Sequence, residues 1–179
     1  MRRNLKRVIT FFATVFLMVS FANPSMAFFK NKFETEVEIE EGAVKLVREV
    51  IRGNYNIIDA KELNQWINSK REMIIVDTMP FEDSYKKEHV PGATQFLFPI
   101  PEMVTWEEDK TSGKSVQDFE KLLGSDKNKI IVIYCGFVKC TRSHNGAMWA
   151  KKLGYTTVYR FSGGIFAWKG KGYPVETVK

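Results

Sequence analysis

Cysteine and histidine are both scarce in this chain of 179 residues, which has two of each. The two cysteines, Cys135 and Cys140, lie in one short stretch. A disulfide framework ties distant parts of a small secreted domain together, and two such close cysteines do not suit that role. A structural zinc site needs four ligands, and no further Cys or His pair lies nearby. We therefore predict no metal site and interpret the two cysteines as chemically active groups.

A strong excess of charge of one sign is also missing. The chain has 27 Lys and Arg against 21 Asp and Glu, and four of the basic residues lie within residues 1–27. The remaining lysines are mixed with acidic residues and form no basic stripe with interleaved aromatic side chains. No internal repeat or low-complexity tract is apparent. We therefore expect no nucleic-acid partner.

The N-terminus has the pattern of a secretory signal. Four basic residues precede an apolar run over 8–22, and residues 23–27 supply a turn and small side chains. We predict cleavage after Ala27 and a mature protein that is periplasmic or otherwise exported. An uncleaved membrane anchor is the alternative, because the run is close to the lower length limit of a spanning helix. The membrane would then be a partner through this segment alone.

Strand and helix signals alternate along the rest of the chain. The strongest strand signal covers 129–134, where four consecutive β-branched residues indicate a central strand buried on both faces. The other predicted elements are an exposed lead-in at 33–41, strands at 55–58, 73–76 and 155–160, an apolar run at 94–100, helices at 43–51, 61–67, 80–88, 116–123 and 143–153, and a short helix through Trp168. Asp59 is expected to be the N-cap of the helix at 61–67, and Gly154 is expected to end the helix at 143–153. This alternation predicts an α/β domain with a mainly parallel sheet.

Cys135 follows the strongest predicted strand directly. Open parallel sheets bind ligands beyond the carboxyl ends of their strands, and here the following loop runs into a predicted helix N-terminus that Ser143 can cap. Free backbone amides and the helix dipole at such a position favour negative charge and lower the pKa of a thiol. Lys139 and Arg142 add positive charge nearby. These features favour a nucleophile over a buried cysteine that only packs.

Several separated motifs resemble those of the rhodanese, or sulfurtransferase, superfamily. They are the strand into Asp77, His89-Val90-Pro91-Gly92-Ala93, Tyr134-Cys135 leading to Arg142-Ser143, Gly154-Tyr155, and Gly163-Gly164-Ile165 with Trp168, Gly172 and Pro174. The resemblance covers about residues 55–175. It implies a single rhodanese-like domain over 55–179, with a mainly parallel five-stranded sheet flanked by helices on both faces. Residues 1–27 are then the signal peptide, and 28–54 are an N-terminal extension with a short helix.

The resemblance also implies an activity. Cys135 would accept sulfane sulfur as a persulfide from a small anionic donor and pass it to a thiophilic acceptor, which is a thiol, cyanide or a protein. Asp77 matches a supporting aspartate at the end of the second strand, and no cofactor is implied. The implied anion-binding loop consists of Gly136, Phe137, Val138, Lys139, Thr141, Arg142 and Ser143.

Two positions depart from the family pattern. Met79 stands where an arginine usually follows the aspartate. Six residues separate Cys135 from Arg142, whereas single-domain sulfurtransferases usually have four and the related phosphatases and arsenate reductases have five. The chain resembles an exported subgroup with a Cys-x4-Cys-x-Arg-Ser loop, and the longer loop leaves the choice of substrate open.

The second cysteine leaves several functions open. Cys140 could resolve a persulfide or sulfenate on Cys135 by forming a disulfide, accept the sulfur itself, or be a structural loop residue. The chain could accordingly be a sulfurtransferase, a non-catalytic sulfur carrier or a redox-active binding module. A phosphatase or arsenate reductase is a further alternative, although no catalytic acid is evident.

Four other side chains are expected to be structural. His89 should shape the turn before Pro91, and His144 should be an exposed residue in the first turn of its helix. Phe166 and Trp168 should fill the core.

Overall fold

The computed structural model of the protein describes residues 31–178, so the predicted signal segment lies outside the described residues. Five strands, β1 (Asn56–Ile58), β2 (Met73–Asp77), β3 (Ala93–Gln95), β4 (Ile130–Tyr134) and β5 (Val158–Phe161), form one sheet. All four strand pairs are parallel, and the order is β1-β5-β4-β2-β3. This arrangement confirms the predicted α/β fold. Within residues 31–178, no helix is long and apolar enough to cross a membrane.

Helices cover both faces of the sheet. The α-helices are α1 (Lys32–Gly53), α2 (Ala60–Asn68), α3 (Val116–Leu123), α4 (Arg142–Lys152) and α5 (Gly164–Gly170), with a π turn at Phe81–Tyr85 and a 3-10 turn at Glu108–Thr111. The predicted N-cap of α2 is correct, since the Asp59 carboxylate accepts a hydrogen bond of 2.8 Å from the Glu62 amide. Gly154 follows α4 with a φ of +91°, as the predicted helix end requires.

β4 is the central strand and divides the core in two. Ile131 and Ile133 point into one hydrophobic cluster, whereas Val132 and Tyr134 point into the other. All four side chains are fully buried, because both faces of a parallel sheet are covered by helices. The β-branched run in the sequence therefore predicts this strand correctly.

The first helix is longer than expected and packs through a different face. α1 has 22 residues and includes the predicted lead-in, whose glutamates are good helix formers. Val44, Val47 and Ile51 are exposed, although their spacing suggested a face packed on the domain edge. The buried residues of α1 are Gly42, Glu49 and Gly53, and the helix contacts α4. Val50 is partly buried against the core, so α1 joins the domain through this side chain as well as through Glu49 and the two glycines.

Gly164 lets α5 approach the cysteine loop closely. The Ile165 amide donates a 2.9 Å hydrogen bond to the Cys135 carbonyl, and the Phe166 amide donates a 3.0 Å bond to the Gly136 carbonyl. Gly164 itself has a φ of +58°, a conformation that glycine adopts at little cost. The first turn of α5 therefore supports the backbone at Cys135.

Replacing Gly164 with alanine is expected to destabilise the domain. The new Cβ would lie 2.1 Å from the Cys135 carbonyl oxygen, and the positive φ adds strain. We expect the free energy of unfolding to fall by about 2–4 kcal/mol, as measured by urea denaturation. Gly170→Ala in the same helix is the control, because its Cβ would meet nothing within 4 Å. Equal losses for the two variants would contradict this explanation.

Candidate active site

The candidate site is the loop that joins β4 to α4. Cys135 is the first residue of this loop, directly after β4, and its side chain is fully buried. Cys140 is 8% exposed and lies at the other end of the loop, where its amide donates a 3.0 Å hydrogen bond to the Phe137 carbonyl. This turn brings the Cys140 sulfur into contact with the Cys135 thiol. Both predicted cysteines therefore belong to one site.

The loop amides are divided between the two sulfurs. Hydrogen bonding by the Cys135 thiol and the amides of Gly136 and Arg142 acts on the pKa of Cys140, whereas the Cys135 sulfur lies 3.2 Å from the Ser143 hydroxyl and 3.4 Å from the Cys140 carbonyl oxygen. Together with the Arg142 charge, these donors lower the pKa of Cys140 to about 6, with the Cys135 thiol as the largest contribution. Burial, followed by the neighbouring Cys140, raises the pKa of Cys135 well above its ordinary value. The two cysteines therefore form one coupled pair, in which burial disfavours ionisation of Cys135.

Cys140 lines a cavity of about 450 Å³. Its lining combines apolar side chains with both signs of charge and comprises Met79, Pro80, Asp83, Ser84, Ile100, Phe137, Lys139, Cys140, Arg142 and Phe166. The Phe137 and Phe166 rings stack at its rim with centroids 5.6 Å apart. Phe166 is 64% exposed, so the expectation that it fills the core was wrong. Phe166 lies on the exposed face of α5, whereas Trp168 is buried as predicted.

The two predicted cationic side chains are placed differently. Arg142 lines the cavity, and its guanidinium donates a hydrogen bond to the Phe98 carbonyl. Lys139 also lines the cavity, but its ammonium lies 3.2 Å from the Glu41 carboxylate. Arg142 is therefore the principal positive charge acting on the Cys140 sulfur.

A buried arginine that the sequence analysis did not single out holds the loop from inside the domain. The Arg160 guanidinium donates to the Val138 carbonyl at 3.2 Å and to the Cys140 carbonyl at 2.9 Å. It also donates to the Ser143 hydroxyl at 2.9 Å, which lies 3.2 Å from the Cys135 sulfur. Ser143 is thus inside α4 and faces the core, so the expectation that it caps the helix was wrong. Its hydroxyl instead links the Arg160 guanidinium to the Cys135 sulfur.

α1 supplies the counter-charge for this arginine. Glu49 lies 2.5 Å from the Arg160 guanidinium, and both side chains are almost completely buried. On the exposed side of the loop, the Lys45 ammonium donates to the Lys139 carbonyl at 2.5 Å and to the Thr141 hydroxyl at 2.8 Å. The N-terminal extension therefore contributes directly to the cysteine loop. One signal in the sequence was Arg160 itself, a charged residue within a strand that is otherwise apolar.

His144 is part of the same polar interior. Its side chain is fully buried, with Nδ1 2.9 Å from the Tyr55 hydroxyl and Nε2 3.4 Å from the Glu102 carboxylate. The expectation of an exposed histidine was wrong because α1 and the segment at Glu102 cover this turn of α4. Burial lowers the pKa of His144, so the imidazole is neutral at physiological pH.

Comparison with known proteins agrees with this arrangement. The profile of the rhodanese-like domain matches residues 59–171, which is more than half of the chain. The chain belongs to the rhodanese-like domain family. A chloroplastic rhodanese-like domain-containing protein 14 from Arabidopsis thaliana is 27% identical over 150 residues, which are 68% of this chain and 65% of that protein. This chain therefore spans a little under two thirds of its relative.

Solved structures share the rhodanese-like fold. Thiosulfate sulfurtransferase from Pseudomonas aeruginosa is 19% identical, with a TM-score of 0.56 over 77% of this chain and 23% of that one. The polysulfide-sulfur transferase homodimer from Wolinella succinogenes is 12% identical, with a TM-score of 0.50 over 82% of this chain and 90% of that one. At these identities the likeness describes the fold.

Asp77 braces the segment of the rhodanese-like domain that leads to the cavity. Its carboxylate accepts a 2.8 Å hydrogen bond from the Met79 amide, and Met79 lines the cavity. The Asp77 side chain is fully buried. Burial raises its pKa to about 6, although interactions with the Tyr134 hydroxyl and the Met79 amide oppose this effect. The predicted supporting aspartate therefore lies beside the site without facing the cysteine sulfurs. His89, as expected, has a structural position, buried and 2.8 Å from the Tyr85 carbonyl.

Glu49→Ala is expected to destabilise the domain and its loop. The substitution leaves the Arg160 charge buried without its carboxylate, and breaking such a pair costs about 3–5 kcal/mol. Urea denaturation followed by tryptophan fluorescence measures this loss. Glu40→Ala is the control, because Glu40 is exposed on the same helix. A loss at Glu49 no larger than at Glu40 would show that the ion pair is not structural.

The raised pKa of Asp77 predicts that the free energy of unfolding depends on pH. Its pKa of about 6 in the folded protein exceeds its ordinary value, so the fold favours the protonated form and loses stability as the pH rises through 6. Relative to Asp77→Asn, the wild-type free energy of unfolding should fall by about 2 kcal/mol between pH 4 and pH 8. Denaturation of both proteins at the two pH values measures the difference, and parallel pH profiles would contradict the assignment.

Proposed function

We propose that this protein is a sulfurtransferase that carries sulfane sulfur as a persulfide on a cysteine of the loop at 135–141. The observation that carries the proposal is the placement of two free cysteines in the loop between β4 and α4, where Cys140 and Arg142 line one cavity. Membership of the rhodanese-like family supports it, as does the fold shared with enzymes for thiosulfate and polysulfide sulfur.

The donor in this proposal is a small sulfur anion such as thiosulfate or polysulfide. The cysteine thiolate attacks the outer sulfur of thiosulfate, a new S–S bond forms to the protein, and the S–S bond of the donor breaks. Sulfite leaves with the electron pair of the broken bond, and a cysteine persulfide anion remains. Arg142 supplies positive charge in the cavity where the donor and the departing sulfite would lie. The persulfide then gives its terminal sulfur to a thiol, cyanide or a partner protein.

The contact between Cys135 and Cys140 favours a second candidate function. A non-catalytic sulfur carrier or a redox-active module would use the same pair of cysteines, but it would load sulfur only once for each protein molecule. Steady-state formation of thiocyanate from thiosulfate and cyanide distinguishes the two functions, since a carrier gives a stoichiometric burst without turnover.

The proposed function predicts loading of one sulfur atom on the full chain. Reduced, desalted protein incubated with thiosulfate or polysulfide should gain the mass of one sulfur, and cyanide should remove it. Intact mass spectrometry measures both steps. The variant in which both Cys135 and Cys140 are serine is the control and should gain nothing. If the wild-type protein gains no sulfur from either donor, the proposed function is wrong.

A further inference from the structure

We propose that α1 carries a docking surface for a second copy of this chain, and that two copies associate through antiparallel α1 helices. The surface is a row of side chains on one side of α1, which we call the α1 stripe. Its members are Phe33, Val37, Glu40, Val44, Val47 and Ile51. The proposal concerns assembly and does not depend on sulfur transfer by the cysteine loop.

The α1 stripe faces away from the domain. Because an α-helix turns by about 100° per residue, its six members fall within an arc of about 80°. The buried residues of α1, which are Gly42, Glu49 and Gly53, lie on the opposite side of the helix. The apolar members of the stripe range from 39% exposed for Val44 to 73% for Ile51. A continuous apolar row on a protein surface marks an interaction site.

The spacing within the α1 stripe is that of a coiled coil. Successive members are alternately four and three positions apart along nearly the whole helix, and all of them except Glu40 are apolar. Such a narrow seam is the pattern of a helix that packs against another helix, whereas a helix that packs on a globular core has a wider apolar face. The spacing therefore indicates a helical partner.

The α1 stripe is also symmetric about Gly42. Its members form three pairs that are equally distant from Gly42 along the helix, namely 33 with 51, 37 with 47, and 40 with 44. A two-fold axis near Gly42 would place Phe33 against Ile51 of the second copy, and Val37 against Val47. An interface between two identical chains needs this kind of self-complementary surface. Both domains would lie on the outer sides of the helix pair, because each α1 stripe faces away from its own domain.

The charges of α1 favour the antiparallel orientation. Residues 32–42 contain five glutamates and one lysine, whereas the charged side chains of 43–53 are Lys45, Arg48, Arg52 and the buried Glu49. Antiparallel helices would bring the acidic half of each copy beside the basic half of the other, whereas parallel helices would align like charges. Glu34 and Arg48 border the same edge of the α1 stripe, and neither side chain has a partner within residues 31–178. The antiparallel pair would bring these two charges together.

Two other occupants of the α1 stripe match these features less well. The glutamates of residues 32–42 would be repelled by an anionic membrane surface. The apolar run at 8–22 contains no charged residue that could match the two halves of α1. A second copy supplies both the apolar seam and the complementary charges.

Sedimentation velocity of the full chain tests the association. The helix pair is a small interface with a charge at Glu40, so we expect a reversible dimer with a Kd on the order of 10–100 µM. Val47→Asp places a charge in the seam and should raise the Kd about tenfold or more. Glu40→Leu removes the one charge from the seam and should lower the Kd about tenfold. Val104→Asp is the matched control, because Val104 is exposed outside α1 and its replacement should leave the Kd unchanged.

Cross-linking tests the orientation. A short bifunctional maleimide should join the Val37→Cys variant to the Val47→Cys variant when the two are mixed, and should join neither variant to itself. Peptide mapping identifies the linked positions, and the native cysteines are buried. Intact mass spectrometry records whether residues 1–27 remain, and thermal unfolding establishes that each variant is folded.

Three results would overturn the proposal. The first is a wild-type protein that stays monomeric at concentrations well above the expected Kd, including one that instead binds anionic vesicles through the α1 stripe. The second is an equal Kd for folded Val47→Asp and Val104→Asp. The third is efficient cross-linking within the Val37→Cys or the Val47→Cys variant alone, which would indicate parallel helices. None of these results bears on sulfur loading of the cysteine loop.

Discussion

The buried ion pair between Arg160 and Glu49 is the interaction on which the cysteine loop depends. An arginine inside a domain is unfavourable unless its charge is paired and its donors are satisfied. Arg160 meets both conditions, because Glu49 supplies the charge and the loop carbonyls of Val138 and Cys140 accept hydrogen bonds. Glu49 of α1 therefore neutralises the same guanidinium that holds the loop in position.

Through the ion pair between Glu49 and Arg160, the N-terminal extension contributes to the site. The match to the rhodanese-like domain begins at residue 59, after Glu49, so the counter-charge of Arg160 comes from outside the matched region. Lys45 adds a second link by donating to the Lys139 carbonyl and the Thr141 hydroxyl. α1 thus acts on the loop from two sides through polar contacts, and its most buried side chain is the charged Glu49.

Local sequence patterns predicted most of the fold. The β-branched run gave β4, and Asp59 and Gly154 marked helix boundaries, since these signals depend on residues close in the chain. The incorrect expectations concern side chains whose surroundings come from distant segments. Ser143 and His144 face groups from β5, α1 and the segment at Glu102, and no local pattern specifies such partners.

The same difference between local signals and contacts from distant segments decides what the sequence predicts about the candidate site. The sequence placed both cysteines between a strand and a helix N-terminus, which the structure confirms, but it could not say which sulfur the amides face. That direction depends on the turn from Phe137 to Cys140 and on the Arg160 contacts, which couple residues from separate parts of the chain.

Two sulfurs in contact cannot both be ionised cheaply, because like charges at short range oppose each other. The loop resolves this conflict by giving Cys140 the amides and Arg142, and by giving Cys135 the carbonyls and the deeper burial. A longer loop with a second cysteine is therefore more than an insertion, since it places a second sulfur-bearing residue, Cys140, in the wall of the cavity.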